Sequence, residues 1–352
     1  MKKLLLGFEQ PDAGERPRRL FLDPETRRST HSWIVGSTGS GKSKFLEWMI
    51  RGDILAGQGL MVVDLHGKLY EDVLRWCCQR NFVNLRPIVL IDPSAGEWIT
   101  GVNPFRPRAR MDVEAQVDGM VHALLRVWGA DRTDQTPTLD RVLRLLFSAM
   151  VTHGIPLQQA AELIAFSGEE LRSAVIPGIQ NPVIRSAWED LNAVSRAGDF
   201  RAEVLSTQNR IMRLASFSSL TRFMGVTDDA FNLDPLELMD RGAIVLVNLK
   251  PSRSFPRTVA EAFAALMLND FFQAAMCFRQ EDAYGRAPTP FYIYLDEWQR
   301  IECGSFSSTR AALLMEAGGG YLTRRSLGRG GGGGGSVTGV TSSPAYREAW
   351  FR

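Results

Sequence analysis

Hydrophobic positions along this chain fall into two regimes: short continuous runs near both ends of the first three hundred residues, and helically spaced positions between them. Ser32-Trp33-Ile34-Val35, Leu60-Met61-Val62-Val63-Asp64 and Pro87-Ile88-Val89-Leu90-Ile91-Asp92 are runs of the first kind. Unbroken apolar runs of this length suit strands of a parallel sheet covered on both faces. Between them, the segment after Ser43 reads as a helix to about Leu55. Lys68–Arg80 is helical by period, with Leu69, Val73, Leu74 and Cys77 on one side. Strand, helix, strand, helix, strand with short links predicts an α/β fold with a parallel sheet. Leu4–Phe8 and Leu20–Leu22 read as one or two edge strands ahead of it.

From about Met111 helical periods follow one another to about Asp240 with no β-rich run, which predicts an all-α insertion over 111–240. Thr136 suits an N-cap with Pro137 at the first helical position, and Leu139, Val142, Leu143, Leu146 and Met150 form a core stripe ended by Gly154. Ser167-Gly168-Glu169-Glu170 and Thr258-Val259-Ala260-Glu261 have capping-box spacing. A long helix is expected over Phe200–Leu214 with Val204, Leu205, Ile211 and Met212 inside. The sheet resumes at Ala243–Asn248, a helix follows with Phe263, Leu266, Met267 and Phe271 inward, and Phe291–Leu295 is expected as the last core strand. The division is therefore a nucleotide-binding core over 1–110 and 241–302, an all-α insertion over 111–240, and a tail over 303–352. The Gly318–Gly320 and Gly330–Gly335 runs make that tail read as flexible.

Composition adds little: 352 residues with 45% hydrophobic content allow one large or two smaller domains, and a net charge of +2 argues neither for nor against nucleic acid. Four cysteines at 77, 78, 277 and 303 have no zinc-ligand spacing and read as reduced thiols of a cytosolic protein. No apolar run approaches the length of a membrane span.

The chemistry starts at Gly36-Ser37-Thr38-Gly39-Ser40-Gly41-Lys42-Ser43, followed by Lys44, which reads G-x-x-x-x-G-K-S between a strand and a helix. A polyphosphate needs many donors close together. Glycines at 36, 39 and 41 let the backbone curl and aim successive N–H groups at it, and the helix N-terminus adds its own donors and positive dipole end. Lys42 is expected on the β- and γ-phosphates and Ser43 on Mg²⁺. The pattern predicts binding of ATP or another nucleoside triphosphate.

Hydrolysis needs a carboxylate on the metal's water shell and a group that orients the attacking water. The apolar strand ending in Asp296-Glu297 supplies both: Asp296 is expected to act on Mg²⁺ through water, and Glu297 as the base. Asp64, at the carboxyl end of the second strand, is a rival for the metal-associated carboxylate. His66 has no partner visible in sequence. Asp92 reads as shaping a turn, and Asn248 either as a γ-phosphate reader or as a satisfied turn residue. An unrelated kinase or GTPase fits poorly, since no guanine-reading N-K-x-D follows.

With these residues placed, the chain resembles the FtsK/HerA superfamily of DNA-pumping ATPases, and within it the conjugative coupling proteins of type IV secretion (TraD/TraG-like). The resemblance rests on His31–Ser43, on Val63-Asp64-Leu65-His66-Gly67-Lys68-Leu69, and on Ile91-Asp92-Pro93 followed by Gly101-Val102-Asn103-Pro104-Phe105. It extends to Ile244–Leu249 and Tyr294-Leu295-Asp296-Glu297-Trp298-Gln299. It implies a RecA-like core that assembles as a hexameric ring, binds ATP and Mg²⁺ between subunits and drives DNA through the centre. Residues 111–240 would contact the relaxase–DNA substrate. A cytoplasmic location follows, with recruitment to the inner face of the membrane by a relaxase or secretion-channel partner. The family continues after the Asp-Glu pair with an Arg-Lys helix, another strand and a γ-phosphate-sensing Gln. Nothing from Cys303 to Arg352 matches these, and such Gly-rich text is what a shifted frame in GC-rich DNA produces. A truncated or frame-disrupted homologue is therefore expected. The competing reading is a catalytically weak or inactive module that binds ATP, and DNA, without pumping.

Overall fold

A computed structural model describes residues 3–9, 16–37, 39–95, 99–108, 111–129, 137–194, 198–278, 288–297, 320–325, 338–342 and 347–351. The N-terminal strands β1 (Leu4–Phe8) and β2 (Arg19–Leu22) pair antiparallel with each other. They form their own two-stranded sheet and not an edge of the main one, a correction to the sequence reading. Helix α1 (Pro24–Ser29), capped by Asp23 through Glu25 N–H at 3.1 Å, leads into β3 (Ser32–Gly36). Helix α2 (Lys42–Leu55), β4 (Gly59–Asp64), α3 (Lys68–Gln79) and β5 (Ile88–Ile91) follow in the expected order.

Later in the chain come β6 (Ile244–Asn248), α12 (Arg257–Phe278) and β7 (Phe291–Leu295). Strands β5, β6, β4 and β7 lie side by side, all parallel. β4, β6 and β7 are buried along their whole length, so their continuous apolar runs match their position. β5 departs from that expectation: it is an edge strand, and its Leu90 is exposed. Beyond Glu302 the sequence shows no pattern, yet three further strands join the sheet: β8 (Gly320–Arg325), β9 (Thr338–Ser342) and β10 (Arg347–Phe351). β8 runs parallel between β7 and β3, while β9 and β10 extend the sheet antiparallel beyond β3. Backbone pairing suffices to place such strands, and side-chain periodicity does not reveal them. The Gly330–Gly335 run lies outside the described residues.

Between β5 and β6 the described elements are helical: α4 (Val113–Val127), α5 (Pro137–His153), α6 (Leu157–Ile164), α7 (Glu169–Val175), α8 (Pro182–Val194), α9 (Gly198–Ala215), α10 (Ser218–Met224) and α11 (Pro235–Asp240). Their core is continuous with one face of the sheet. Met61, Val63, Val245 and Ile293 share a buried cluster with Leu146, Trp188 and Ile211, and with Phe263 and Phe271 of α12. The other face, with Ile34, Leu46, Ile50, Val62 and Tyr294, packs α2 and α3.

Local signals held unevenly. α5 starts at Pro137 and stops before Gly154, whose φ of +63° suits only glycine well, while Thr136 lies outside the described residues. Ser167 does not cap α7, because Gly168 occupies that position without a side-chain bond. Thr258 sits inside α12, and the Val259 and Ala260 N–H groups of its first turn donate to Pro256 O instead. In α9, Val204 and Ile211 are buried, but Leu205 and Met212 face outward, contrary to expectation.

Asn103 ties the sheet to the helical segment. Its Nδ2 donates to Val226 O at 2.9 Å, its Oδ1 accepts from Phe105 N–H at 3.0 Å, and its own N–H donates to Asn232 Oδ1 at 3.2 Å. At the opposite end of the sheet, Arg86 donates to Ile54 O at 3.2 Å, to Gln58 O at 2.6 Å and to Gly242 O. Gly59 and Gly242 meet beside it so closely that a Cβ on Gly59 would lie 2.9 Å from Gly242 Cα. No helix among the described residues is long and apolar enough to cross a membrane.

Candidate nucleotide-binding site

The carboxyl ends of β3, β4 and β7 open on one cavity of about 380 Å³, lined by Gly39, Gly41, Lys42, Ser43, Asp64, His66, Asp296 and Glu297 among others. β3 delivers the chain into the loop. Gly39 and Gly41 have φ of +82° and +89°, where a side chain is strained, and a Cβ on Gly36 would lie 2.5 Å from Ser40 Oγ. Gly41 starts α2 with no side-chain cap and no acidic residue in the first turn. The helix's orphan N–H groups and positive end therefore face the cavity unneutralised, as an anion site requires. Ser40 Oγ is buried and has no partner among the described residues, a polar atom in the loop that a phosphate oxygen would satisfy. Thr38 lies outside the described residues.

Lys42 is buried, and its Nζ donates to Gly36 O and Ser37 O, both at 2.9 Å. The ammonium is thus held over the loop by weak acceptors that charged phosphate oxygens would outcompete. Ser43 Oγ donates to Asp296 Oδ2 at 3.1 Å. Asp296 extends the sheet one step past β7, its N–H donating to Val63 O at 3.1 Å, and it is buried. Glu297 follows, buried, at a φ of +59°, a sparsely populated conformation for a side-chain-bearing residue and one that concentrates at functional sites.

Asp64 is fully buried in the same cavity. Its carboxylate accepts from His66 N–H at 2.7 Å and Tyr70 N–H at 3.0 Å, so it organises the turn into α3. Burial raises its pKa, the two backbone donors oppose that, and the neighbouring Asp296 charge raises it further. Two carboxylates and a hydroxyl at one place form a hard-oxygen set that fits Mg²⁺, with Ser43 and Asp296 the pair facing each other and Asp64 turned to the backbone. His66 lines the cavity.

Lys44, next in the motif, also lines the cavity. Its Nζ pairs with Asp72 at 2.8 Å and Glu47 at 2.7 Å, and these partners raise its pKa, the Asp72 bond first. Asn248 is a turn residue: Nδ2 donates to Asp92 Oδ2 at 2.8 Å and Oδ1 accepts from Lys250 N–H at 3.1 Å. Asp92 in turn caps its own loop through Ser94 and Ala95. The sequence reading missed Glu47, Lys68, Leu69 and Asp72 in the cavity wall. The available signal was spacing, since Lys44–Glu47 and Lys68–Asp72 are helix-neighbour ion pairs.

A family model described as helicase HerA, central domain, matches residues 16–271. Among solved structures, the unbound monoclinic form of the bacterial conjugative coupling protein TrwBdeltaN70 is similar at a TM-score of 0.55 and 11% identity, over 86% of this chain and 64% of that one. The plasmid coupling protein TrwB in complex with the non-hydrolysable GTP analogue GDPNP gives 0.51 at 11% identity, over 85% and 64%. VirB4 of Thermoanaerobacter pseudethanolicus gives 0.51 at 14% identity, over 92% and 76%. The chain thus spans less than two thirds of the TrwB chains, and the likeness is one of fold. A comparison with curated proteins finds no match.

Proposed function

The chain belongs to the family of the helicase HerA central domain, and from that premise we propose that it is a motor ATPase that couples ATP hydrolysis to DNA translocation, in the manner of conjugative coupling. The observation that carries this reading is the meeting of Ser43 with Asp296, and of Glu297 beside it, in the cavity under the glycine loop. In this reading the loop from Gly36 to Ser43 and the first N–H groups of α2 cradle the phosphates, and Lys42 trades its two carbonyls for β- and γ-phosphate oxygens. Ser43 and Asp296 would hold Mg²⁺, which would supply charge neutralisation at the phosphates. Glu297 orients and deprotonates the attacking water.

Residues 1–110 and 241–302 act as the core, and 111–240 as the helical unit that meets the DNA-processing partner. Copies assemble as a hexameric ring on the cytoplasmic side of a secretion channel. The similarity to TrwB and VirB4 supports this assignment of role. The test is ATP turnover by the purified chain with and without single- and double-stranded DNA, alongside mass photometry with nucleotide. DNA-stimulated turnover and a ring-sized species are expected. Nucleotide binding by a monomer with no turnover would overturn the motor and leave a binding module.

A further inference from the structure

The face of the sheet that packs α2 holds a buried polar group that no nucleotide contact explains. Arg27 of α1 donates to both carboxylate oxygens of Asp53 on α2, Nη1 to Oδ1 at 2.7 Å and Nη2 to Oδ2 at 2.6 Å. The Tyr294 hydroxyl of β7 donates to the same Oδ2, and the Arg27 guanidinium lies 4.0 Å from the centroid of the Tyr292 ring. Arg27, Asp53, Tyr292 and Tyr294 are all buried. A buried ion pair is a weak source of stability, because apolar side chains of equal volume would serve as well; what it adds is direction. Its bonds hold only in one relative placement of the elements that carry them.

Those elements are the ones that build the metal-facing half of the site. α2 begins at Lys42-Ser43 and carries Asp53 toward its other end, while β7 carries Tyr294 two positions before Asp296. The same helix and strand are therefore tied twice, at Ser43–Asp296 and at Asp53–Tyr294. A cation entering between Ser43 and Asp296 must take over the first tie. The second is remote and survives. We propose that the Arg27–Asp53–Tyr294 brace sets the distance between Ser43 and Asp296, with Tyr294 a positioning residue for Mg²⁺. This rests on the nucleotide-binding reading above. The apolar contacts of α2 on the sheet would not by themselves fix its sliding along β7, since dispersion and burial are non-directional.

The test uses the full chain and a ribose-labelled fluorescent ATP, titrated first in EDTA and then against Mg²⁺. Tyr294→Phe removes one hydroxyl and keeps the ring. It should leave metal-free binding within about twofold of the parent and raise the Mg²⁺ concentration for half-maximal strengthening about tenfold, the scale on which loosened support of a site shows. Asp53→Asn should act in the same direction, and keeps the test decisive if Tyr294→Phe does not fold. Ile176→Ala, in the buried cluster of the helical segment and not in the one that packs α2, should lower the thermal midpoint without moving the Mg²⁺ response. An unchanged Mg²⁺ response in both brace variants overturns the proposal. A parent that binds no labelled ATP overturns the nucleotide-binding reading itself and removes the brace's role with it.

Discussion

Ser43 and Asp296 stand 253 positions apart in the chain, and their side-chain oxygens lie 3.1 Å apart. Only a sheet that brings β3 and β7 to one edge can do this, so the contact joins the fold to its chemistry.

Lys42→Ala should weaken ATP binding by ~30- to 150-fold, since it removes a charged donor worth about 2–3 kcal/mol to phosphate oxygens. Isothermal titration of both proteins reads this directly. Affinity equal to the parent's would leave the loop without a nucleotide role.

Glu297→Gln keeps the shape of the side chain and removes its basicity. Binding should stay within about twofold while turnover falls by ~10²- to 10⁴-fold. Single-turnover measurements with radiolabelled ATP separate the two. Undiminished turnover would place the base elsewhere.

Lys44→Ala should change ATP affinity by no more than about threefold, because its ammonium is committed to Asp72 and Glu47 at a well-exposed position. A tenfold loss in the same titration would mean that the ammonium leaves Asp72 to reach the nucleotide.

Asp64 gives a pH signature. Its pKa is raised in the folded chain, chiefly by burial, so across the window from its unfolded value of 3.8 up to its folded value the folded state binds more protons than the unfolded one. Its contribution to stability is full below that window and is lost as pH rises through it, with a slope of at most about 1.4 kcal/mol per pH unit. Thermal midpoints of the parent and Asp64→Asn should therefore move apart as pH climbs from below 3.8, the parent losing ground. Parallel curves would sink the assignment.

Asn103→Ala should cost about 1–2 kcal/mol in urea unfolding, as two side-chain bonds are lost and the buried Phe105 N–H loses its acceptor, while the Val226 carbonyl keeps the Asn232 Nδ2 donor. A change under about 0.5 kcal/mol would show that the Gly101–Phe105 turn holds without it.

Much of this fold is legible in the sequence. The strands from β3 to β7, the loop and the Asp-Glu pair all announced themselves, because burial on both faces forces continuous apolar runs and phosphate chemistry forces glycine spacing. What stayed hidden depends on partners distant in sequence. β5 carries the apolar run of a central strand, and nothing within it says that no strand among the described residues pairs with its outer edge. Leu205 and Met212 share a helix with Val204 and Ile211, yet only the packing of α9 decides which of them faces the core. Lys44 adjoins the motif, but the carboxylate that claims it sits on α3. Arg27, Asp53 and Tyr294 carry no motif at all, and only the folded chain brings them together.

A lever needs a fulcrum. Arg86 gathers the carbonyls of Ile54, Gln58 and Gly242 onto one guanidinium, at the end of α2 and just ahead of β4 and β6. This clamps the floor of the molecule at the end away from the glycine loop. On the proposed motor reading, work done by a nucleotide at the rim would have a fixed base to push against, and the displacement would go to whatever rests on the upper edge.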